Sequence, residues 1–181
     1  KFFRDVLDIV APNSAILTET NVPHEENISY FGQGDEAHMV YNFTLPPLLL
    51  YTLLKQNATR LTKWAKSLPD LGPGQCFLNF TASHDGIGLR PIQGILPAKE
   101  INWLVKETGK RQGKVSEKAN SDGSRSPYEL NITYFDACRY PGDEALSMAR
   151  FLCSQALALA FQGVPAVYFH SLMGTRNDVR G

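Results

Sequence analysis

Short, almost wholly apolar runs recur along this chain, separated by longer stretches in which apolar residues return every three or four positions. The runs at residues 14–19, 39–43, 76–81 and 164–169 predict four short strands buried on both faces. Helices are expected over residues 48–54, with an amphipathic continuation to about Leu68, and over residues 98–108. A further helix should begin at Asp143 and bury Leu146, Ala149, Leu152, Ala156, Leu157 and Ala160, ending at Gly163. Thr44 and Asp143 are placed to cap, and Pro46-Pro47 suits a first helical turn. The polar, turn-rich stretch 20–36 is too long for an ordinary connector. Residues 109–127, rich in Lys, Ser and Gly, predict a mobile surface loop. An amphipathic run through Val6, Leu7, Ile9 and Val10 opens the chain without Met and reads as the tail of a helix in a longer protein.

Strands alternating with helices call for a parallel sheet covered by helices, an α/β fold. Gly86 and Gly88 follow a strand but lack the third glycine and the prompt helix of a nucleotide-binding loop. A barrel, or part of one, is the expected architecture. Catalytic groups in such barrels sit at the C-terminal ends of strands. Glu19, Asp85 and His170 all lie at such ends.

Composition narrows the choice of partner. The 181 residues are 43% hydrophobic, enough for one core, and 18 basic residues balance 18 acidic ones. No electrostatic footprint for nucleic acid or an anionic membrane is present, and a neutral substrate fits best. Cys76, Cys138 and Cys153 lack metal-site spacing and read as buried structural thiols. With no apolar run of membrane-spanning length, they point to a cytoplasmic setting. Five glycosylation sequons occur, but Asn79 falls inside a predicted buried strand, where a glycan has no room.

Two carboxylates on different strand ends can face each other across a glycosidic bond, one protonating the leaving oxygen and the other stabilising positive charge. Glu19 and Asp85 fit because each follows an apolar strand; an isolated carboxylate would be read as a solvated charge. His84, beside Asp85, is a candidate sugar-hydroxyl donor, against the alternative of a core histidine. Tyr30 and Phe31 could form a surface for a pyranose ring or simply pack their loop.

Ala15-Ile16-Leu17-Thr18-Glu19-Thr20-Asn21 resembles the acid/base strand of glycoside hydrolase family 13, and Phe80-Thr81-Ala82-Ser83-His84-Asp85 resembles its later His-Asp motif. The continuation through Gly86-Ile87-Gly88, together with Tyr41-Asn42-Phe43-Thr44-Leu45-Pro46, is similar to the sucrose phosphorylase subgroup. The resemblance implies the C-terminal half of a (β/α)8 TIM barrel, strands five to eight, with residues 1–181 forming part of a catalytic domain. It also implies a double displacement in which an Asp nucleophile forms a glucosyl intermediate, Glu19 is the acid/base, and Asp85, assisted by His84, grips ring hydroxyls. The nucleophile's motif matches no segment of this sequence, so the chain alone is expected to be inactive. Half a barrel would need its N-terminal half, or a second copy, to close its strand edges.

Residues 126–131 resemble the loop that exchanges acceptor for phosphate, which makes Tyr128 a candidate phosphate or acceptor contact, with Arg125 a possible anion binder. Asn21 stands where sucrose phosphorylases carry His. Glu19-Thr20-Asn21-Val22-Pro23-His24 resembles the glucosylglycerate phosphorylases, so the acceptor is expected to be fructose or a glycerate-like carboxylate. The expected partners are a small α-glucoside and inorganic phosphate, with no metal and no cofactor. A hydrolase or transglucosidase using the same carboxylates, and a noncatalytic amylase-like scaffold, are the alternatives.

Overall fold

The computed structural model describes residues 1–179. Helix α1 (Phe2–Val10) precedes β1 (Leu17–Thr18), α2 (His24–Ser29), β2 (Met39–Tyr41), α3 (Leu45–Lys55), α4 (Thr59–Ser67) and β3 (Cys76–Asn79). There follow β4 (Ile87–Gly88), α5 (Ala98–Lys110), β5 (Lys114–Ala119), β6 (Arg125–Asn131), α6 (Tyr134–Cys138), α7 (Glu144–Ala160), β7 (Val164–Pro165) and α8 (Phe169–Leu172). The parallel sheet runs β1-β2-β3-β7, strictly in chain order, with Leu17 beside Met39, Val40 beside Phe77 and Leu78 beside Val164. Sequential parallel strands with intervening helices are the repeating unit of a (β/α)8 barrel. A second sheet, β4-β6-β5, is antiparallel and inserted between β3 and β7.

Helix α3 organises the core. Its residues Leu45 to Thr52 are all buried, as a helix apolar on every side must be. Around it pack Trp64 of α4, Ile87 of β4, Leu104 of α5, Leu130 of β6 and Phe151 of α7. The Tyr134 hydroxyl donates to the Pro46 carbonyl at 2.8 Å, tying α6 to the first turn of α3. A smaller cluster of Phe31, Ala37, Val40 and Phe77 lies on the parallel sheet, with Phe31 edge-on to Phe77.

The strands are joined by a side-chain ladder as well as by backbone bonds. Asn42 Nδ2 donates to Asn79 Oδ1 at 2.9 Å, and Asn79 Nδ2 donates to the carbonyls of Phe161 and Gln162 at 3.1 Å. Asn79 is fully buried, as expected of a sequon inside a strand. Gly163, at φ +139°, completes the join, because a Cβ there would lie 2.4 Å from the Phe77 carbonyl oxygen.

Several expectations are corrected. The stretch 109–127 is no mobile loop: it contributes the end of α5, the whole of β5 and the start of β6, a hairpin turning at Gly123. Residues 20–36 contain α2. The last apolar run is strand only at Val164–Pro165 and becomes α8 at Phe169. Thr44 does not cap α3; its hydroxyl meets His24 Nδ1 at 3.1 Å, whereas Asp143 does cap α7, accepting from the Leu146 N–H at 2.8 Å. Helix α7 also buries the other face: Ser147, Arg150, Phe151, Ser154 and Ala158 point inward, while Leu146 and Leu152 are exposed. The inward serines satisfy themselves, Ser147 Oγ donating to Tyr140 and Asp143 carbonyls and Ser154 Oγ to that of Phe151. Rotation of this helix leaves Cys153 exposed, while Cys138 is fully buried and its thiol is pushed up to about 12 by that burial.

Candidate active site

Glu19 directly follows β1, and the segment behind it is pinned from two sides. The Thr20 hydroxyl donates to Asn27 Oδ1 at 3.1 Å, and Asn27, buried on α2, donates onward to the Tyr41 carbonyl at the end of β2 at 2.7 Å. The start of the strand is held by the Ile16 N–H donating to His38 Nδ1. Glu19 therefore projects, exposed, from an anchored strand end. Tyr41 stands near it: burial first, and then the Glu19 charge, push its hydroxyl above the ordinary tyrosine range. The Tyr41 ring stacks on Phe43 and meets Phe80 edge-on, forming an aromatic wall at the ends of β2 and β3.

His84 and Asp85 arrive on the turn after β3, where the Asp85 N–H donates to the Ser83 hydroxyl at 3.2 Å. His84 Nε2 lies 3.7 Å from Asp85 Oδ2. Ligand atoms of Glu19, His84 and Asp85 all lie within 4.8 Å of one another, although Glu19 stands more than sixty positions before the other two in sequence. A histidine and two carboxylates at this spacing could hold a divalent cation, but all three are exposed and no fourth protein ligand joins them among the described residues. Two carboxylates and an imidazole suit proton transfer and hydroxyl binding equally well. Beside Asp85 opens a cavity of about 340 Å³, lined by Ser83, His84, Asn131, Tyr168 and His170 among others, within the usual range for small-molecule sites.

Asn21 lies next to this cluster, and Glu129 of β6 lies against it. Asn21 Nδ2 donates to Glu129 Oε1 at 3.2 Å. Burial is the main reason that the Glu129 carboxyl sits above its ordinary range; the Asp85 charge adds to the shift, and the bond from Asn21 opposes it. The other candidates are placed elsewhere. Tyr128, next along β6, lines a separate small cavity with Arg90 and Lys118. Arg125 is exposed at the start of the same strand, 3.8 Å from Glu117. Tyr30 caps the end of α2, half-buried against the smaller core. His24 packs edge-on to Trp64, and its burial lowers its tendency to protonate.

Glu129 and Tyr41 are the neighbours that sequence reasoning passed over. Glu129 could have been found from strand alternation, since successive residues of β6 face opposite sides and only one of Tyr128 and Glu129 can look toward Asp85. Tyr41 entered the sequence reading only as the first residue of the 41–46 motif, with no role of its own.

No protein-family model matches the sequence. The chain is 50% identical over 183 residues to the glucosylglycerate phosphorylase of Escherichia coli (strain K12), an alignment that covers 100% of this chain and 33% of that protein. It is 32% identical to the sucrose phosphorylase of Streptococcus mutans serotype c, covering 96% of this chain and 34% of the other. The crystal structure of sucrose 6F-phosphate phosphorylase from Thermoanaerobacter thermosaccharolyticum superposes with a TM-score of 0.73 at 24% identity, covering 91% of this chain and 30% of that one. The chain spans about a third of the length of the curated relatives it matches. It has the parallel strands of one half of a (β/α)8 barrel and is a homologue, along essentially its whole length, of the glucosylglycerate and sucrose phosphorylases.

Proposed function

We propose that this chain supplies the acid/base and a second active-site carboxylate to an enzyme that transfers an α-glucosyl group between inorganic phosphate and a small acceptor. The observation that carries this reading is the convergence of Glu19 with His84 and Asp85 at the ends of β1 and β3. Glu19 protonates the departing acceptor oxygen as the anomeric C–O bond breaks, and the glucosyl group passes to an Asp nucleophile contributed from outside this chain. Glu19, now ionised, takes a proton from phosphate as its oxygen attacks the anomeric carbon and the bond to the Asp nucleophile breaks, which regenerates that carboxylate and releases glucose 1-phosphate. Asp85 and His84 hold the ring hydroxyls and stabilise the positive charge that develops on the ring. Asn21, followed by Val22-Pro23-His24, together with relatives named for glucosylglycerate, supports a glycerate-like acceptor.

The rest of a closed barrel is the proposed partner. Helix α1 buries none of its residues and exposes Phe2, Phe3, Ile9 and Val10, α7 exposes Leu146 and Leu152, and the edge strands β1 and β7 each have one neighbour in the sheet. Surfaces of this kind need cover. The chain alone is expected to be inactive. The test is glucose 1-phosphate formation by the intact protein, offered phosphate with glucosylglycerate or with sucrose, beside a Glu19→Gln variant. Phosphate-dependent product that disappears in the variant is the expected result. Free glucose alone would replace the phosphorylase reading with a hydrolase, and no turnover of any α-glucoside would sink both.

A further inference from the structure

We propose that Tyr41 is a positioning residue for the acid/base, its hydroxyl donating a hydrogen bond to the Glu19 carboxylate as the Glu19 proton leaves for the departing acceptor. The inference rests on the reading of Glu19 given above and deepens it.

Strand register brings the two residues together. Leu17 pairs with Met39 and Thr18 with Val40, so one further step along these parallel strands sets Glu19 beside Tyr41. Side chains alternate between the faces of a sheet. Val40 and its partner Phe77 face the smaller core, which leaves Glu19, Tyr41 and Leu78 together on the opposite, open face.

Tyr41 is held there more firmly than Glu19. Its carbonyl accepts from Asn27 Nδ2 at 2.7 Å, its ring stacks on Phe43 with centroids 5.4 Å apart, and Phe80 meets it edge-on at 5.3 Å. The same Asn27 accepts from the Thr20 hydroxyl, next to Glu19, at 3.1 Å, so one buried amide fixes both strand ends. The Tyr41 hydroxyl is the uncommitted part, with no hydrogen bond to any described residue. Burial and then the Glu19 charge push its ionisation above the ordinary tyrosine range, so it keeps its proton at neutral pH and donates without transferring it.

The reaction calls for such a donor. As Glu19 protonates the acceptor oxygen, the anomeric C–O bond breaks and the glucosyl group passes to the Asp nucleophile. Glu19 is then a carboxylate within 4.8 Å of a second one, Asp85, and like charges at that range repel. His84 Nε2 already faces Asp85, at 3.7 Å. Tyr41 supplies a neutral donor from the adjoining strand, and its bond strengthens as the charge on Glu19 develops, closing only in the reacting complex. It therefore speeds glucosyl transfer to the enzyme and not the return step, in which Glu19 is neutralised.

The experiment uses the intact protein and Tyr41→Phe, which keeps the ring between Phe43 and Phe80 and removes only the hydroxyl. Two donors are compared with phosphate as acceptor: glucosylglycerate or sucrose, whichever the protein cleaves, and α-glucosyl fluoride, whose fluoride departs without a proton. With the glycoside, kcat/KM for the donor should fall about 10-fold to 100-fold, the range set by a hydrogen bond to a charged group, while kcat/KM for phosphate should not fall. With α-glucosyl fluoride the variant should stay within about 2-fold of the unaltered protein, because no proton is needed. Added to Glu19→Gln, Tyr41→Phe should cause no further loss, because it acts through Glu19. The Tm should not change. An undiminished kcat/KM for the glycoside, an equal fall with both donors, a fall in kcat/KM for phosphate, or a loss that multiplies with that of Glu19→Gln would overturn the role. A Glu19→Gln variant fully active on the glycoside would instead overturn the acid/base reading itself, and the Tyr41 role with it.

Discussion

Helices α3 and α7 are both rich in Leu, yet they stand in opposite relations to the molecule. Helix α3 is enclosed on every side, with Leu45, Leu48, Leu49 and Leu50 essentially without solvent contact. Helix α7 turns a mixed face of Ser147, Arg150, Phe151, Ser154 and Ala158 inward and leaves Leu146, Leu152 and Leu159 in water. The difference shows that an apolar stripe states that a face will be covered without stating by what. For α3 the cover is within the chain. For α7, and for α1 with its exposed phenylalanines, the described residues offer none, and these helices lead along the chain into the two edge strands of the parallel sheet.

The sharpest way to test the comparison is at α3. Leu48→Ala should cost about 2–5 kcal/mol through lost burial and the cavity left behind, read as a fall in the denaturant midpoint. Gly163→Ala attacks the join between β3 and β7, where the added Cβ meets the Phe77 carbonyl at a positive φ. A loss of about 1–3 kcal/mol is expected, checked in the same way. At α7, Asp143→Ala removes the side-chain cap and should cost about 1 kcal/mol.

A smaller effect depends on pH. The Glu129 carboxyl holds its proton more tightly when folded than when unfolded, chiefly through burial and secondarily through the Asp85 charge. The folded state binds more protons between the two pKa values, so this group's contribution to stability falls as pH rises from the unfolded value through the folded one, and then stays low. Glu129→Gln should therefore gain in Tm relative to the natural chain at neutral pH, and the gain should vanish in acid below the ordinary carboxylate range. Least of all, Leu152→Ser should move the stability of the chain alone by no more than about 0.5 kcal/mol. In the intact protein the same change should cost clearly more, and equal small effects in both would break the idea that a missing barrel wall covers α7.

What could be read from the sequence follows the same line. The strands that lead to Glu19 and to His84-Asp85 were legible because short apolar runs stop where the polar rim begins, although β1 proves to be only Leu17–Thr18 and leaves Leu17 exposed rather than buried on both faces. The β5-β6 hairpin was not, because Lys114-Val115-Ser116-Glu117-Lys118-Ala119 has too few apolar positions to show alternation, and its strands are held mainly by their mutual backbone ladder. The Asp122-Gly123 pair at its tip was the overlooked turn signal. The inward face of α7 was unreadable for a further reason: two serines that bond back to their own helix behave as small apolar residues, which no periodicity of hydrophobic letters records. Glu129 was missed along with the hairpin that carries it.

The Asn79 ladder has a consequence for motion. A two-residue edge strand such as β7 would ordinarily fray on its own, one backbone bond at a time. Here the Asn79 amide grips the carbonyls of Phe161 and Gln162 just ahead of it, while the Asn79 backbone carbonyl accepts the Ala166 N–H at 2.7 Å. The end of α7, the Gly163 turn and β7 are thus fastened to one buried residue and must open together, as a single cooperative unit whose amides exchange with solvent at a common rate.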